Sequence, residues 1–321
     1  MPLPSPWRWK VISLSTFKAM KSIALKEGMV EMSGETLRAC QRVMLGIAED
    51  FISLCEEEGI WYQLGGGTAL GAVRHHGFIP WDDDIDLNIR GRDIERLRDE
   101  VGRRFGDKYV FLDYSSKGYG LPMCRLMLNG SVYRDRESYD AELCGFFIDL
   151  FPIENVPDNP VLRKIHGAFC MVSGGLLSCR RFHENRRLMR RLAKDNPSVR
   201  STVNVKLAIG QVLAFLPLTT CGKVTDWVYG LCKDEGSRFV TIPSGRHHYF
   251  GGVTPRHGRM DTVPVDFEGH RWQVAADYDT YLTMLYGPSY MTPPSEGAKE
   301  HHMLFELRFP EGIDDPRGSQ Q

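Results

Sequence analysis

The apolar positions of the chain change period several times, and each change marks an element. In "ETLRACQRVMLGIAEDFISLCEEEGI", Leu37, Cys40, Val43, Met44, Ile47, Phe51, Leu54 and Cys55 recur at helical spacing with one wet face, and Gly59 is placed to stop the helix. "IWYQL" reads as a short strand, residues 65–67 as a glycine turn, "TALGAVR" as a short helix and "HHGFIPW" as a loop. Alternation through "DDDIDLNI" predicts a strand, and "RDIERLRDEVGRRF" returns to helical period. "YVFLDY", "LPMCRLML" and "GFFIDLFPI" are further strands. Helix, strand, turn, helix, strand, helix, then strands predicts an α/β or α+β sheet covered by helices.

Beyond Pro157 the pattern changes. Residues from about 160 to 235 read as helical and hold a concentrated basic run, "CRRFHENRRLMRRLAK"; from about 238 onward come short strands, aromatic residues and turns. These shifts divide the chain into an N-terminal arm (1–34), a sheet core (35–157), a basic helical region (158–237), a C-terminal segment (238–310) and a polar tail (311–321) expected to be disordered. "GAFCMVSGGLLSC" and "LAIGQVLAFLPL" are the most apolar runs, expected as buried helices, with contact at a membrane surface as the alternative. Neither approaches the roughly 20 residues that cross a bilayer. The first residues lack a long apolar stretch and a small-residue cleavage site, so no signal peptide and a cytoplasmic location are expected, with peripheral attachment to the inner face of the cell membrane as an extension.

Composition narrows the choice of partners. Forty basic residues meet 41 acidic ones in 321 residues, so no global charge draws the chain to nucleic acid. Eight scattered cysteines without CxxC spacing suggest free thiols in a reducing compartment rather than a zinc site.

The chemistry concentrates in "GGGTALGAVRHHGFIPWDDDIDLNI". On a strand Asp82, Asp84 and Asp86 share one face, with Asp83, Ile85 and Leu87 on the other. Three carboxylates packed together repel unless protonated or neutralised, and a hard divalent cation is the usual remedy. The alternative is a solvated acidic turn, which the flanking "GFIPW" and "IDLNI" argue against. A calcium loop fails because Leu87 stands where its glycine belongs and Asp93 where its glutamate belongs. The glycine turn, lying between strand and helix, suits a phosphate at the helix start. It is neither a Walker loop nor a dinucleotide fingerprint. Asp149, set among apolar residues of "GFFIDLFPI", needs a metal or an arginine partner to stay ionised.

A Gly-Gly turn, Asp-x-Asp on a strand and a later strand aspartate together resemble the polymerase-β type of nucleotidyltransferase. More narrowly, "GTALGAVRHHGFIPWDDDIDL", "FFIDLFPIENVP" and "YLTMLYGPSYMTPP" are similar to the LicD family of phosphocholine and fukutin-type ribitol-phosphate transferases. The similarity covers about residues 40–155 and 265–302, and it leaves the basic helical middle unmatched. It implies an α+β fold: a nucleotidyltransferase-like mixed sheet flanked by helices, with a helical insertion and a small C-terminal segment returning to complete the site. It also implies Mg²⁺, one or two ions with Mn²⁺ as a substitute, on Asp84, Asp86 and Asp149, with Asp82 near the metal. Gly66, Gly67 and Thr68 would line phosphates, Arg74 would neutralise one, and Trp81 would border the nucleotide. The triplet 65–67 and Ala69 depart from the family's usual residues, while all the carboxylates are kept.

The activity so implied is transfer of a phospho-substituted alcohol, phosphocholine first, from a CDP-linked donor to a sugar hydroxyl of a cell-surface glycan or lipid-linked precursor, with release of CMP. Asp149 is the candidate acceptor of the hydroxyl proton. Two rivals stand: nucleotidyl transfer from an NTP with release of pyrophosphate, and a non-catalytic binding protein that keeps a structural metal. Arg125, Tyr286, Tyr290 and His302 are candidates to complete the donor pocket, against readings as a surface arginine, packed tyrosines and a turn histidine. Phe78 and Trp81 are candidates to face a quaternary ammonium. The basic run 180–194 reads either as a solvated helix face or as peripheral contact with an anionic membrane.

Overall fold

The computed structural model describes residues 30, 32, 34–135, 142–194, 197–295 and 304–317. Helix α1 (Gly34–Glu57) buries the stripe its period announces, with Cys40, Met44, Phe51 and Leu54 fully enclosed. Its outer face stays wet, so tertiary packing rather than helix propensity holds it. Strand β1 (Tyr62–Leu64), helix α2 (Gly66–His75), strand β2 (Asp86–Arg90) and helix α3 (Ile94–Phe105) follow. Then come β3 (Tyr109–Leu112), β4 (Cys124–Leu128), β5 (Val132–Asp135) and the long β6 (Phe147–Val156). The central sheet runs β1-β2-β6-β4-β3; β2 and β6 are parallel and the other neighbours antiparallel. Its apolar face packs with α1 into the main core, where Leu64, Ile85, Leu87, Ile89 and Leu150 have no exposure. Each large apolar side chain so enclosed contributes about 1.5–3 kcal/mol.

Four helices occupy the middle of the chain: α4 (Pro160–Glu184), α5 (Arg186–Lys194), α6 (Pro197–Val212) and α7 (Leu218–Tyr229). Asn159 starts α4 by accepting the backbone N–H groups of Val161 and Leu162 on its side chain, and Pro160 follows at the first helical position. The helices have small cores of their own, one around Leu188, Val199 and Val203 and another joining Val156, Cys170, Val228 and Tyr249.

The C-terminal part returns to the sheet. Strand β7 (Phe239–Thr241) extends the ladder at the far end of β6 and pairs with β8 (Thr254–Pro255). Strands β9 (Thr262–Phe267) and β10 (His270–Ala275) form a separate ribbon, and helix α8 (Tyr278–Tyr286) lies against α2. The last strand, β11 (Leu304–Arg308), pairs with β5 and buries Leu304, Leu307 and Phe309 in the main core. This is the mixed sheet flanked by helices, with returning C-terminal segment, that the sequence implies.

Three expectations need revision. The carboxylate strand begins at Asp86, not Asp82. The Asp82 N–H turns back to the Ile79 carbonyl and Gln41 donates to the Asp82 carbonyl, so pairing starts only where Asp149 donates to Ile85, at 2.9 Å. The alternation survives without the ladder: Asp83, Ile85 and Leu87 are buried while Asp82, Asp84 and Asp86 are half-exposed. Second, "GAFCMVSGGLLSC" is helical but only half-buried, and "LAIGQVLAFLPL" is helical only to Val212, after which residues 213–217 turn; Phe169, Val172, Leu176, Val212 and Phe215 face outward. Third, Arg180 is not part of the exposed basic face. It is buried, donates to the Leu216 carbonyl and pairs with Glu184. In the tail, Arg317 donates to the Leu307 carbonyl and pairs with Asp315, while residues 318–321 lie outside the described residues. All eight cysteines are free thiols, five of them buried.

Candidate active site

The site forms where β2 and β6 run parallel. Asp86 stands directly opposite Asp149, and from the other flank Arg125 on β4 stands opposite Asp149 as well. Residues in direct register point to one face. Asp86, Asp149 and Arg125 therefore form a row across three adjacent strands.

Asp149 is buried, and its partner is Arg125, whose Nε donates to Oδ1 at 2.7 Å. The same guanidinium reaches Asp135 Oδ2 at 3.3 Å and lies 3.6 Å from the centre of the Phe147 ring. Burial lifts the Asp149 carboxyl to about 6; Arg125 opposes the rise, and the nearby Asp84 and Asp135 charges add to it. Arg125 is thus the buried counter-charge of Asp149, committed to two aspartates.

The glycine turn fits against the acids. The Gly65 N–H donates to the Asp86 carbonyl, and Thr68 Oγ1 accepts the Asp86 N–H at 2.8 Å, which ties the start of α2 to the start of β2. Gly66 has φ +42°, and a methyl there would run into Asp86 Oδ2; one on Gly67 would lie 2.7 Å from Asp82 Oδ2. A side chain at either position would make a carboxylate move, and at Gly66 the positive φ adds backbone strain. Of the first-turn amides of α2, which no intrahelical bond satisfies, that of Gly66 is taken by the Tyr281 hydroxyl.

Asp83 points the other way, into the core, where it accepts the Tyr133 hydroxyl at 2.9 Å. It is structural.

Aromatic residues of α8 and the segment after it cover the turn. The Gly66 N–H donates to the Tyr281 hydroxyl at 3.0 Å. The Tyr286 hydroxyl lies 4.0 Å from the place a Gly67 methyl would take, and burial, together with Tyr281, Asp86 and Asp82, keeps it firmly protonated. Tyr290 is buried; its hydroxyl donates to Asp279 and its carbonyl accepts Arg74 at 2.7 Å. Arg74 also donates to His75 and lies 6.0 Å from the Trp81 ring centre, so Arg74, Trp81, Tyr286 and Asp82 share one rim. Phe78 instead packs on Phe267. His302 lies outside the described residues.

Several residues that shape this site were not singled out from sequence. Tyr281 opens the segment "YLTMLYGPSYMTPP", and its role follows only from the return of α8 to α2. Arg246 lies 5.8 Å from the Tyr286 ring, beyond the range of any motif. Arg259 is buried over the Tyr281 ring at 4.1 Å, on the strength of a fold contact alone. Among the described residues no three acidic, histidine or cysteine groups already stand together as a ready metal cage. No described helix is long and apolar enough to cross a membrane.

Residues 59–161 match the LicD/FKTN/FKRP nucleotidyltransferase domain. Over 288 residues the chain is 28% identical to the lipopolysaccharide cholinephosphotransferase LicD of Haemophilus influenzae, covering 84% of this chain and 96% of that one. It is 42% identical over 125 residues to the ribitol 5-phosphate transferase FKRP of Homo sapiens, a match spanning 39% of this chain and 23% of that protein. The Mus musculus FKRP matches to the same extent. The row of strand-borne acids and the glycine turn both fall inside the matched segment, so residues 59–161 of the chain form a domain of the LicD/FKTN/FKRP nucleotidyltransferase type.

Proposed function

We propose that the protein transfers a phospho-substituted alcohol, phosphocholine first, from a CDP-linked donor to a sugar hydroxyl on a cell-surface glycan or its lipid-linked precursor. The observation that carries this reading is the direct register of Asp86 with Asp149, facing a helix start whose two glycines touch Asp86 and Asp82. Acids beside a glycine-opened helix start suit a diphosphate held between cation and backbone. The likeness to a lipopolysaccharide cholinephosphotransferase over most of both chains supports the phosphocholine form, and the shorter likeness to a ribitol 5-phosphate transferase supports the general reaction.

The oxygen chemistry of the acids suits magnesium, although no three of them already stand together as a cage among the described residues. The donor set consists of hard aspartate oxygens whose mutual repulsion, seen in the Asp84 contribution to Asp149, a divalent cation would relieve. Asp84, Asp86 and Asp149 would hold it, with Asp82 at its edge. When bound, Mg²⁺ supplies charge for the pyrophosphate and the departing CMP oxygen.

The residues of the chain do the rest. The Gly67 and Thr68 amides opening α2, with the Thr68 hydroxyl fixing their distance from Asp86, orient the donor phosphates. The acceptor hydroxyl oxygen bonds to the phosphorus bearing the alcohol, the bond from that phosphorus to CMP breaks, and CMP leaves with the electron pair. Asp149, held in place by Arg125, takes the hydroxyl proton. Tyr281 and Tyr286 cover the turn and limit water at the reacting phosphate.

The test is incubation with CDP-choline, CDP-ribitol, CDP-glycerol and CTP in the presence of Mg²⁺ and glycan acceptor. CMP release that depends on acceptor and is lost in Asp84→Asn and Asp86→Asn supports the reading. Pyrophosphate from CTP, or full turnover in either variant, refutes it.

A further inference from the structure

The helical region has an apolar face that no part of the described fold covers. On α4, Ile165, Phe169, Val172 and Leu176 are all exposed, and their spacing of four, three and four residues aligns them in one stripe. The neighbouring stripe of the same helix, His166, Cys170 and Ser173, is turned to α7 through bonds to the Val228 carbonyl and from Thr225. The exposed stripe therefore borders the α4–α7 contact, and α7 continues it with Trp227, 65% exposed. At the other end Phe215, 78% exposed, follows α6 next to the point where Arg180 holds the Leu216 carbonyl, one turn beyond Leu176. Exposed apolar faces of this extent mark an interaction surface.

Charge decides the occupant. From residue 160 to 233 the sequence holds thirteen lysines and arginines against three acidic residues, in a chain whose net charge is −1. Lys164 and Lys223 are exposed on the two helices that carry the apolar stripe. The short helix α5 buries Leu188, Met189 and Leu192 and presents Arg186, Arg187, Arg190 and Arg191 to solvent. Large apolar and aromatic side chains amid cationic ones match the boundary of an anionic bilayer, where rings enter the headgroup region and basic groups meet phosphate. A second copy of the same face would bring cation against cation.

We infer that the α4–α7 face, continued by Phe215 and flanked by α5, docks the protein on the surface of an anionic phospholipid membrane, lying in the interface without crossing it. This goes beyond the transferase reading and does not rest on it.

The test is sedimentation of the full chain with vesicles of phosphatidylcholine alone or mixed with phosphatidylglycerol. Binding to the mixed vesicles is expected to exceed binding to the neutral ones by at least tenfold at low salt, since each basic group near the surface adds about fivefold. Phe169→Glu with Trp227→Glu is expected to lower it tenfold or more at an unchanged unfolding midpoint, because both side chains are exposed. Replacing Arg186, Arg187, Arg190 and Arg191 by glutamine is expected to remove most of its salt dependence. Should the double variant misfold, the emission of Trp227, taken as wild type minus Trp227→Phe, is expected to shift to the blue with anionic vesicles. Absence of binding, undiminished binding by a folded double variant, or an unshifted Trp227 would overturn the inference. So would a dimer in solution dissolved by the same variants, which would assign the face to a second copy.

Discussion

Replacing Gly66 by alanine tests how strictly the turn is fitted to the acids. At φ +42° any side chain is strained, at about 1–3 kcal/mol. The new methyl carbon would also stand roughly 1 Å closer to Asp86 Oδ2 than van der Waals contact allows. Asp86 has little freedom to withdraw its backbone: Thr68 holds its N–H, Gly65 holds its carbonyl, and the strand is in register with β6. The side chain must rotate instead, which moves its oxygens by a comparable distance. Misplacing a reacting group by about 1 Å costs about 100-fold in rate. Gly66→Ala is therefore expected to lower kcat for alcohol-phosphate transfer about 100-fold and to lower stability by about 1–3 kcal/mol in urea unfolding. Gly102→Ala, in open space on α3, is the control, expected to gain about 0.5–1 kcal/mol and keep full activity. A Gly66→Ala enzyme within threefold of wild type would refute the claim that the turn and Asp86 are fitted to one another.

Other consequences are equally open to measurement. Arg125→Met should cost about 3–5 kcal/mol, because it leaves Asp149 and Asp135 buried without their cation; the double change with Asp149→Asn should recover part of that loss. Urea midpoints of the two variants decide it, and equal losses would contradict the pairing. Glu154 is pushed up to about 8 by burial, with Asp226 adding. Between about 4.5 and 8 the folded chain holds a proton that the unfolded chain releases, so stability should fall as pH rises through that interval. The slope should flatten in Glu154→Gln, and an unchanged slope would contradict it. Tyr281→Phe removes the acceptor of the Gly66 N–H and should raise KM for the donor several-fold with small loss of stability; an unaltered KM would show that this bond does not set the turn.

The fold was legible where period and burial coincide. The stripe of α1 and the in–out alternation from Asp82 to Leu87 are direct imprints of packing on sequence. The start of β2 was not legible, because it depends on a bond from Asp149, 64 positions away in the numbering, to Ile85. The acids and the glycines were legible as a group, since adjacent residues on a strand and a turn keep their relation in any fold. What covers them was not. Tyr281, Arg246 and Arg259 arrive from the far end of the chain, by contacts that no local pattern encodes. The surface stripe of α4 misled for a related reason. Apolar spacing on a helix announces a partner without saying whether the partner is the same chain.

The pairing of β11 with β5 bears on how the protein is made. Phe309 meets Phe146 with ring centres 5.4 Å apart, so the main core is closed by residues near the end of the chain. During synthesis at about 5–20 residues per second, the 168 positions between Asp135 and Leu304 take roughly 8–34 s to emerge. Over that interval the nascent sheet waits with its flank at Tyr133 and Phe146 open.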